Sequence, residues 1–330
     1  MGKGKFLNLK EQIEKLQSKG LVIKNNKNNR NILFDNNYYN IINGFKDPFL
    51  DKNSDCKVFR KGTTFDEIYC LYSIDRKIRN LVLEYSLIIE NSLKTKIAHF
   101  FAREYGEYEY LNCNNYKFSS ANEKTKTIAL INSISLTINR NNKHPIYKHY
   151  VEDKQTMIPI WALVSLLDFG TIREMYEDLQ DKTQFELANY YTLNVNTMKT
   201  FVSTLNMFRN VCAHDNRLMM YRISNEKFAI SDTPIHIDLN IKKNKSGNYC
   251  CGKKDFFALI ITFKYLLNEH QFSDFFEKLT NFFDEASKKI VSANMNDIYK
   301  LYGMPIEVEK CQQKSWKEII YFDNRVIKKM

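Results

Sequence analysis

The sequence predicts a mainly α protein, a helical bundle carrying one small β-hairpin insertion. Glycine and proline are scarce, at 10 and 5 residues in 330, so long helices are favoured over a turn-rich sandwich or barrel. Neither occurs between Thr63 and Tyr105, where apolar residues recur every three or four positions. Near the end, "IHIDLNI" alternates strictly at Ile235, Ile237, Leu239 and Ile241 behind an Asp232-Thr-Pro turn, which reads as a hairpin near 227–243.

The elements follow in order. "FLNLKEQIEKLQSKG" places Phe6, Leu9, Ile13 and Leu16 at helical spacing, with Gly20 as a stop. Residues 24–37 are asparagine-rich and read as a loop before a short aromatic helix that "GFKDPF" breaks. Thr64 and Glu67 form a capping box that opens the long central helix or helix pair. Residues 112–127 and 138–145 read as loops, and Pro159 precedes a buried helix. Thr171-x-x-Glu174 and Thr183-x-x-Glu186 each suggest a helix start. A stripe then runs through Met198, Phe201, Val202, Leu205, Phe208 and Cys212, and two aromatic-rich helices follow the hairpin. The expected organisation is an N-terminal helical subdomain (1–60), a helical domain (61–290) that includes the hairpin, and a C-terminal tail (291–330) packing on it.

Hydrophobic content of 44% and aromatic content of 14% suit a folded domain. The formal charge is +11 and the pI about 9.1. That surplus favours polyanion partners, nucleic acid first. A lysine-rich proteome explains it equally well. The seven cysteines (56, 70, 113, 212, 250, 251, 311) include no C-x-x-C pair, so reduced thiols and no metal centre are expected. The opening "MGKGKFLNLKEQ" lacks the apolar core of a signal peptide, and no run approaches a membrane span. A cytoplasmic protein without membrane attachment is the expectation, and with no glycine-rich phosphate loop, no cofactor is expected.

The densest chemistry lies in "LNMFRNVCAHDNRL". On a wheel of roughly 100° per residue, Arg209 falls inside the apolar arc, while Asn210, His214 and Arg217 gather further round. A guanidinium in a core-facing arc needs partners or water, at a helix end or against another chain. Cleaving RNA without metal requires a proton acceptor for a 2′-hydroxyl, a donor for the leaving 5′-oxygen, and positive charge on the phosphate. Histidine serves the proton steps and arginine the phosphate, with Asn210 to position them. Spacing alone favours the plainer reading, in which Arg209 and His214 cap and solvate a helix end.

Several blocks resemble the Abi-like abortive infection family, in its order. They are "FLNLKEQIEKLQSKGLVI", "GTTFDEIYCLYSIDRKIRNLVLEYSLIIENSLKTKIAHFF", "PIWALVSLLDFGTIREMYEDL" and "FRNVCAHDNRL". The resemblance implies a HEPN-like helical fold whose R-x-x-x-x-H motif marks a metal-independent endoribonuclease. It further implies a homodimer joining Arg209 and His214 of two protomers, cyclic-phosphate products, RNA as substrate, and in some members a bound small structured RNA. Arg209, Asn210 and His214 become the candidate catalytic set and Arg217 a substrate contact.

Elsewhere, Arg76, Lys77 and Arg79 of "DRKIRN" form either a solvated face or a phosphate contact. His144 and His149 read as surface histidines, His99 and Trp161 as core residues, and Glu90 as a buried partner for an arginine. A non-catalytic RNA-binding scaffold and a plain helical dimer remain the competing functional classes.

Overall fold

The computed structural model describes residues 6–53 and 57–306. The expectations for Cys56, Cys311 and most of the 291–330 tail therefore lie outside the described residues. Helices α1 (Leu9–Ser18) and α2 (Lys27–Asn36) lead into a wide turn at Tyr39–Asn43. The 41-residue α3 (Phe65–Tyr105) follows, roughly 60 Å long at 1.5 Å per residue. Next come α4 (Ala121–Arg140), the single turn α5 (Pro145–Tyr147), α6 (Ile160–Leu163), α7 (Phe169–Asp178), α8 (Asp181–Tyr190) and α9 (Val195–Ala213). The chain closes with α10 (Pro234–Asp238), α11 (Phe256–Leu266), α12 (Glu269–Lys289) and α13 (Met295–Leu301).

Helix α3 is the spine, and α6, α8, α9 and α12 pack along it. It starts where the sequence places it: Glu67 N donates to Thr64 Oγ1 at 3.3 Å, and Thr64 N donates back to Glu67 at 2.9 Å. The same carboxylate accepts from Val291 N and Ser292 N, tying the chain after α12 to the head of α3. Burial opposes ionisation of Glu67, yet these amides hold its carboxyl below the usual range. Helix α11 is buried on every side from Phe256 to Lys264, so it forms the centre of the core. Helix α12 buries only the stripe Phe272, Phe275, Phe276, Leu279, Phe283 and Ala286.

The mainly helical expectation stands, but the hairpin does not. No β-strand occurs among the described residues, only isolated bridges such as Lys243 with Tyr249. Residues 227–243 hold a 3-10 turn at Glu226–Phe228 and the short helix α10. Pro234 supplies the first helical position, and Thr233 N donates to His236 Nδ1 at 3.1 Å, closing a local cap. In that turn Ile235 and Leu239, four apart, face the core while Ile237 is 71% exposed. The apolar alternation therefore comes from one helical turn followed by an extended segment, with Asn240 (φ 47°) between them.

Smaller corrections share a cause: local side-chain caps decide helix starts. Asn26 accepts from Asn29 N at 2.9 Å and starts α2 inside the expected asparagine-rich loop. Ser120 does the same for α4, which runs to Arg140 and absorbs part of both expected loops. Asp168, not Thr171, caps α7, and α8 begins before Thr183. Phe6 is exposed and precedes α1. Trp161 is 56% exposed because Ile160, Leu163, Val164 and Leu167 occupy the buried face around it. His99 is exposed for the same reason, beside buried Ile97, Ala98 and Phe101. No helix among the described residues is long and apolar enough to cross a membrane.

Candidate active site

Helix α9 is capped by Asn194, which accepts from Thr197 N at 2.8 Å, and it buries the predicted stripe from Met198 to Cys212. Its last turn carries Arg209 and Asn210, and His214 is its C-cap. His214 is exposed, with its backbone N donating to Asn210 O at 3.1 Å. The Arg209 side chain is 30% exposed, so the core-facing arc ends at a surface edge. Its Nε lies 3.7 Å from Glu90 Oε2, and its Nη1 donates to Asn210 Oδ1 at 3.4 Å. Glu90 is thus the arginine's nearly buried partner, as the sequence suggests, and it also holds Lys94 at 2.9 Å.

The turn after His214 is fastened to α3. Asp75, fully buried, accepts from Met219 N at 2.8 Å, Leu218 N at 3.2 Å and the Tyr302 hydroxyl at 2.8 Å. Arg79 sits 3.2 Å from Asp75 and donates to Asp215, which takes a left-handed φ of 54°. Burial pushes the Asp75 carboxyl up, against the pull of these donors, and raises the Tyr302 hydroxyl as well. Rising positions on α3 (75, 79, 90) meet falling positions beyond and along α9 (219, 215, 209), so the two helices run antiparallel.

Asp75, Arg79, Ser86 and Glu90 fall within an arc of roughly 60° on α3 at about 100° per residue, a buried polar stripe. Ser86 Oγ, Glu90 Oε2, Asn206 Oδ1 and Arg209 Nε are buried without a hydrogen-bond partner among the described residues. Such atoms are costly in a closed core, which makes this helix contact unusual. Cys212, between Arg209 and His214, has its thiol pushed up to about 12 by burial and by the Asp75 charge.

The remaining sequence candidates divide. Arg79 is buried rather than on a solvated face, because it neutralises Asp75 and Asp215. Arg217 lies beyond the end of α9, so the wheel does not apply to it; it donates to Gly44 O. Arg79 and Arg217 line a cavity of about 230 Å³ with Tyr39, Asn40, Asn43 and Asp215. Arg76 and Lys77 are exposed, and Lys77 pairs with Glu285 of α12 at 2.6 Å, away from Arg209. His144 and His149 are exposed. Sequence reasoning missed Asp75 and Asp215. The one signal for Asp75 was its place between Ile74 and Ile78 on a core face.

A family model described as Abi-like protein matches residues 31–220, more than half of the chain. The chain belongs to the Abi-like family. Comparison with curated proteins and with solved structures returns no match. In this Abi-like protein the matched span begins in α2 and ends one residue past Met219, the last amide that Asp75 holds. It therefore encloses both sides of the α3–α9 contact, the wide Tyr39 turn and the whole Arg209–His214 segment. Membership associates this Abi-like chain with abortive-infection defence.

Proposed function

We propose that this Abi-like protein is a metal-independent endoribonuclease of HEPN type that acts in abortive-infection defence. The observation that carries the reading is the state of Arg209. Its guanidinium is part exposed at a helix end, five residues before exposed His214, and among the described residues no carboxylate approaches it within hydrogen-bond distance. A guanidinium so placed is attracted by Glu90 yet retains donors for a phosphate.

In the reaction, a histidine accepts the 2′-hydroxyl proton as the 2′-oxygen attacks phosphorus. The bond from phosphorus to the 5′-oxygen breaks, and a protonated histidine returns a proton to that oxygen. Arg209 donates to the non-bridging oxygens, where charge builds, and Asn210 restrains Arg209. The products are a 2′,3′-cyclic phosphate and a free 5′-hydroxyl. Two protomers supply the two histidines across a twofold contact. Leu87, 54% exposed one turn before Glu90 on α3, gives that contact an apolar element. The net charge of +11 suits RNA both as substrate and as a bound small structured RNA.

The test is incubation of the purified protein with total RNA in EDTA, with the ends mapped chemically. Cyclic-phosphate ends are expected, and Arg209→Ala or His214→Ala should each reduce cutting by about a hundredfold or more. Undiminished cutting by the double variant removes these residues from the mechanism. A discrete small RNA that co-purifies with a protein that cuts nothing establishes the scaffold reading instead.

A further inference from the structure

The cavity beside the His214 turn has no part in the chemistry above. Its floor is Arg79 and Asp215, already paired with each other. Its walls are different. Tyr39 is 68% exposed, and among the described residues neither its hydroxyl nor the side-chain amide of exposed Asn40 has a hydrogen-bond partner. Arg217 donates to the Gly44 carbonyl, and among the described residues no carboxylate forms an ion pair with it. An aromatic face, an unspent amide and a positive charge thus converge on about 230 Å³, a space smaller than a drug-sized pocket. Asp215 follows His214 directly, so their Cα atoms lie about 3.8 Å apart and the floor of the cavity lies one residue from the candidate catalytic histidine.

One ligand chemistry answers all three groups. A base offers a π-face for Tyr39 and polar edges for Asn40 or Asn43, while its phosphate offers oxygens to Arg217. We propose that this cavity seats a single unpaired nucleotide of RNA next to the scissile phosphate. Its base stacks on Tyr39 and its phosphate binds Arg217, and the site rests on the nuclease reading for the identity of the polymer. The Tyr39–Asn43 turn is wound more widely than an α-helix, a form common at functional sites, and it sets Tyr39 and Asn43 on the cavity wall.

The test uses the full chain with Arg209→Ala and His214→Ala combined, so that the RNA stays intact. A short fluorescein-labelled single-stranded RNA is titrated and its anisotropy read, with and without a further change at Tyr39. Tyr39→Ala should weaken binding about tenfold, as expected for loss of one stacked base, and Tyr39→Phe should bind like its parent. Tyr39 is exposed, so its truncation leaves the core packed. Equal affinity of the Tyr39→Ala and parent proteins overturns the site. The two readings fail separately. Tyr39-dependent binding, together with a wild-type chain that cuts no RNA, upholds the nucleotide site and removes the nuclease, while cutting by the wild type with Tyr39-independent binding does the reverse.

Discussion

Glu90 of α3 and Arg209 of α9 face each other with Oε2 and Nε 3.7 Å apart, close enough to attract and too far to share a hydrogen bond. Partial exposure of Arg209 keeps the attraction modest. A double-mutant cycle of Glu90→Gln and Arg209→Gln, followed by urea denaturation, should give a coupling of about 0.5–1 kcal/mol. A coupling of zero would show that the pair does not form in solution.

Asp75 is a different case, because it is sealed from water, accepts from two amides and a hydroxyl, and forms an ion pair with Arg79. Asp75→Ala strands those donors and the Arg79 charge, at a cost of about 3–5 kcal/mol in unfolding free energy. Because the same contacts hold the segment after His214, cutting should fall even where the variant remains folded. Full activity at full stability would mean that the clamp is dispensable.

Asp255 predicts a pH dependence. It caps α11, accepting from Ala258 N and Gly252 N, and burial pushes its carboxyl up to about 6. A folded-state value above the ordinary 3.8 means that the native state binds this proton more tightly than the unfolded chain does. The resulting stabilisation is fully present below pH 3.8 and is lost as pH rises through about 6. Two units correspond to roughly 3 kcal/mol. The stability of wild type relative to Asp255→Asn should decline by that order across the window and then level. A constant difference would show that Asp255 ionises freely.

Cysteine reactivity should follow burial. Iodoacetamide at pH 8 is expected to label exposed Cys250 quickly, while Cys212, buried and with its thiol pushed up to about 12, stays unmodified until the protein unfolds. Rapid labelling of Cys212, read by peptide mass spectrometry, would mean that the last turn of α9 opens readily.

How much was legible can be judged residue by residue. The capping box at Thr64 and Glu67, the α9 stripe and the R-x-x-x-x-H spacing were readable, because each rests on residues a few positions apart. Glu90 as partner of an arginine was readable too, since a carboxylate among apolar neighbours demands a counter-charge. The Ile235–Ile241 segment misled, because alternation over so few residues fits one capped turn as well as a strand. Trp161 and His99 misled because apolar neighbours in sequence do not tell which side of a helix meets the core.

By itself, then, the sequence determined the helical class, the extent of the central helix, the family and the placing of arginine and histidine at one helix end. Only the tertiary structure decided that Arg79 is buried, that Asp75 grips the backbone after His214, and that Arg217 borders a cavity with Tyr39. The division is physical. Helix limits arise from hydrogen bonds between near neighbours, whereas Asp215 and the Met219 amide, which Arg79 and Asp75 hold across the core, lie more than a hundred residues away and are brought there by packing the whole core.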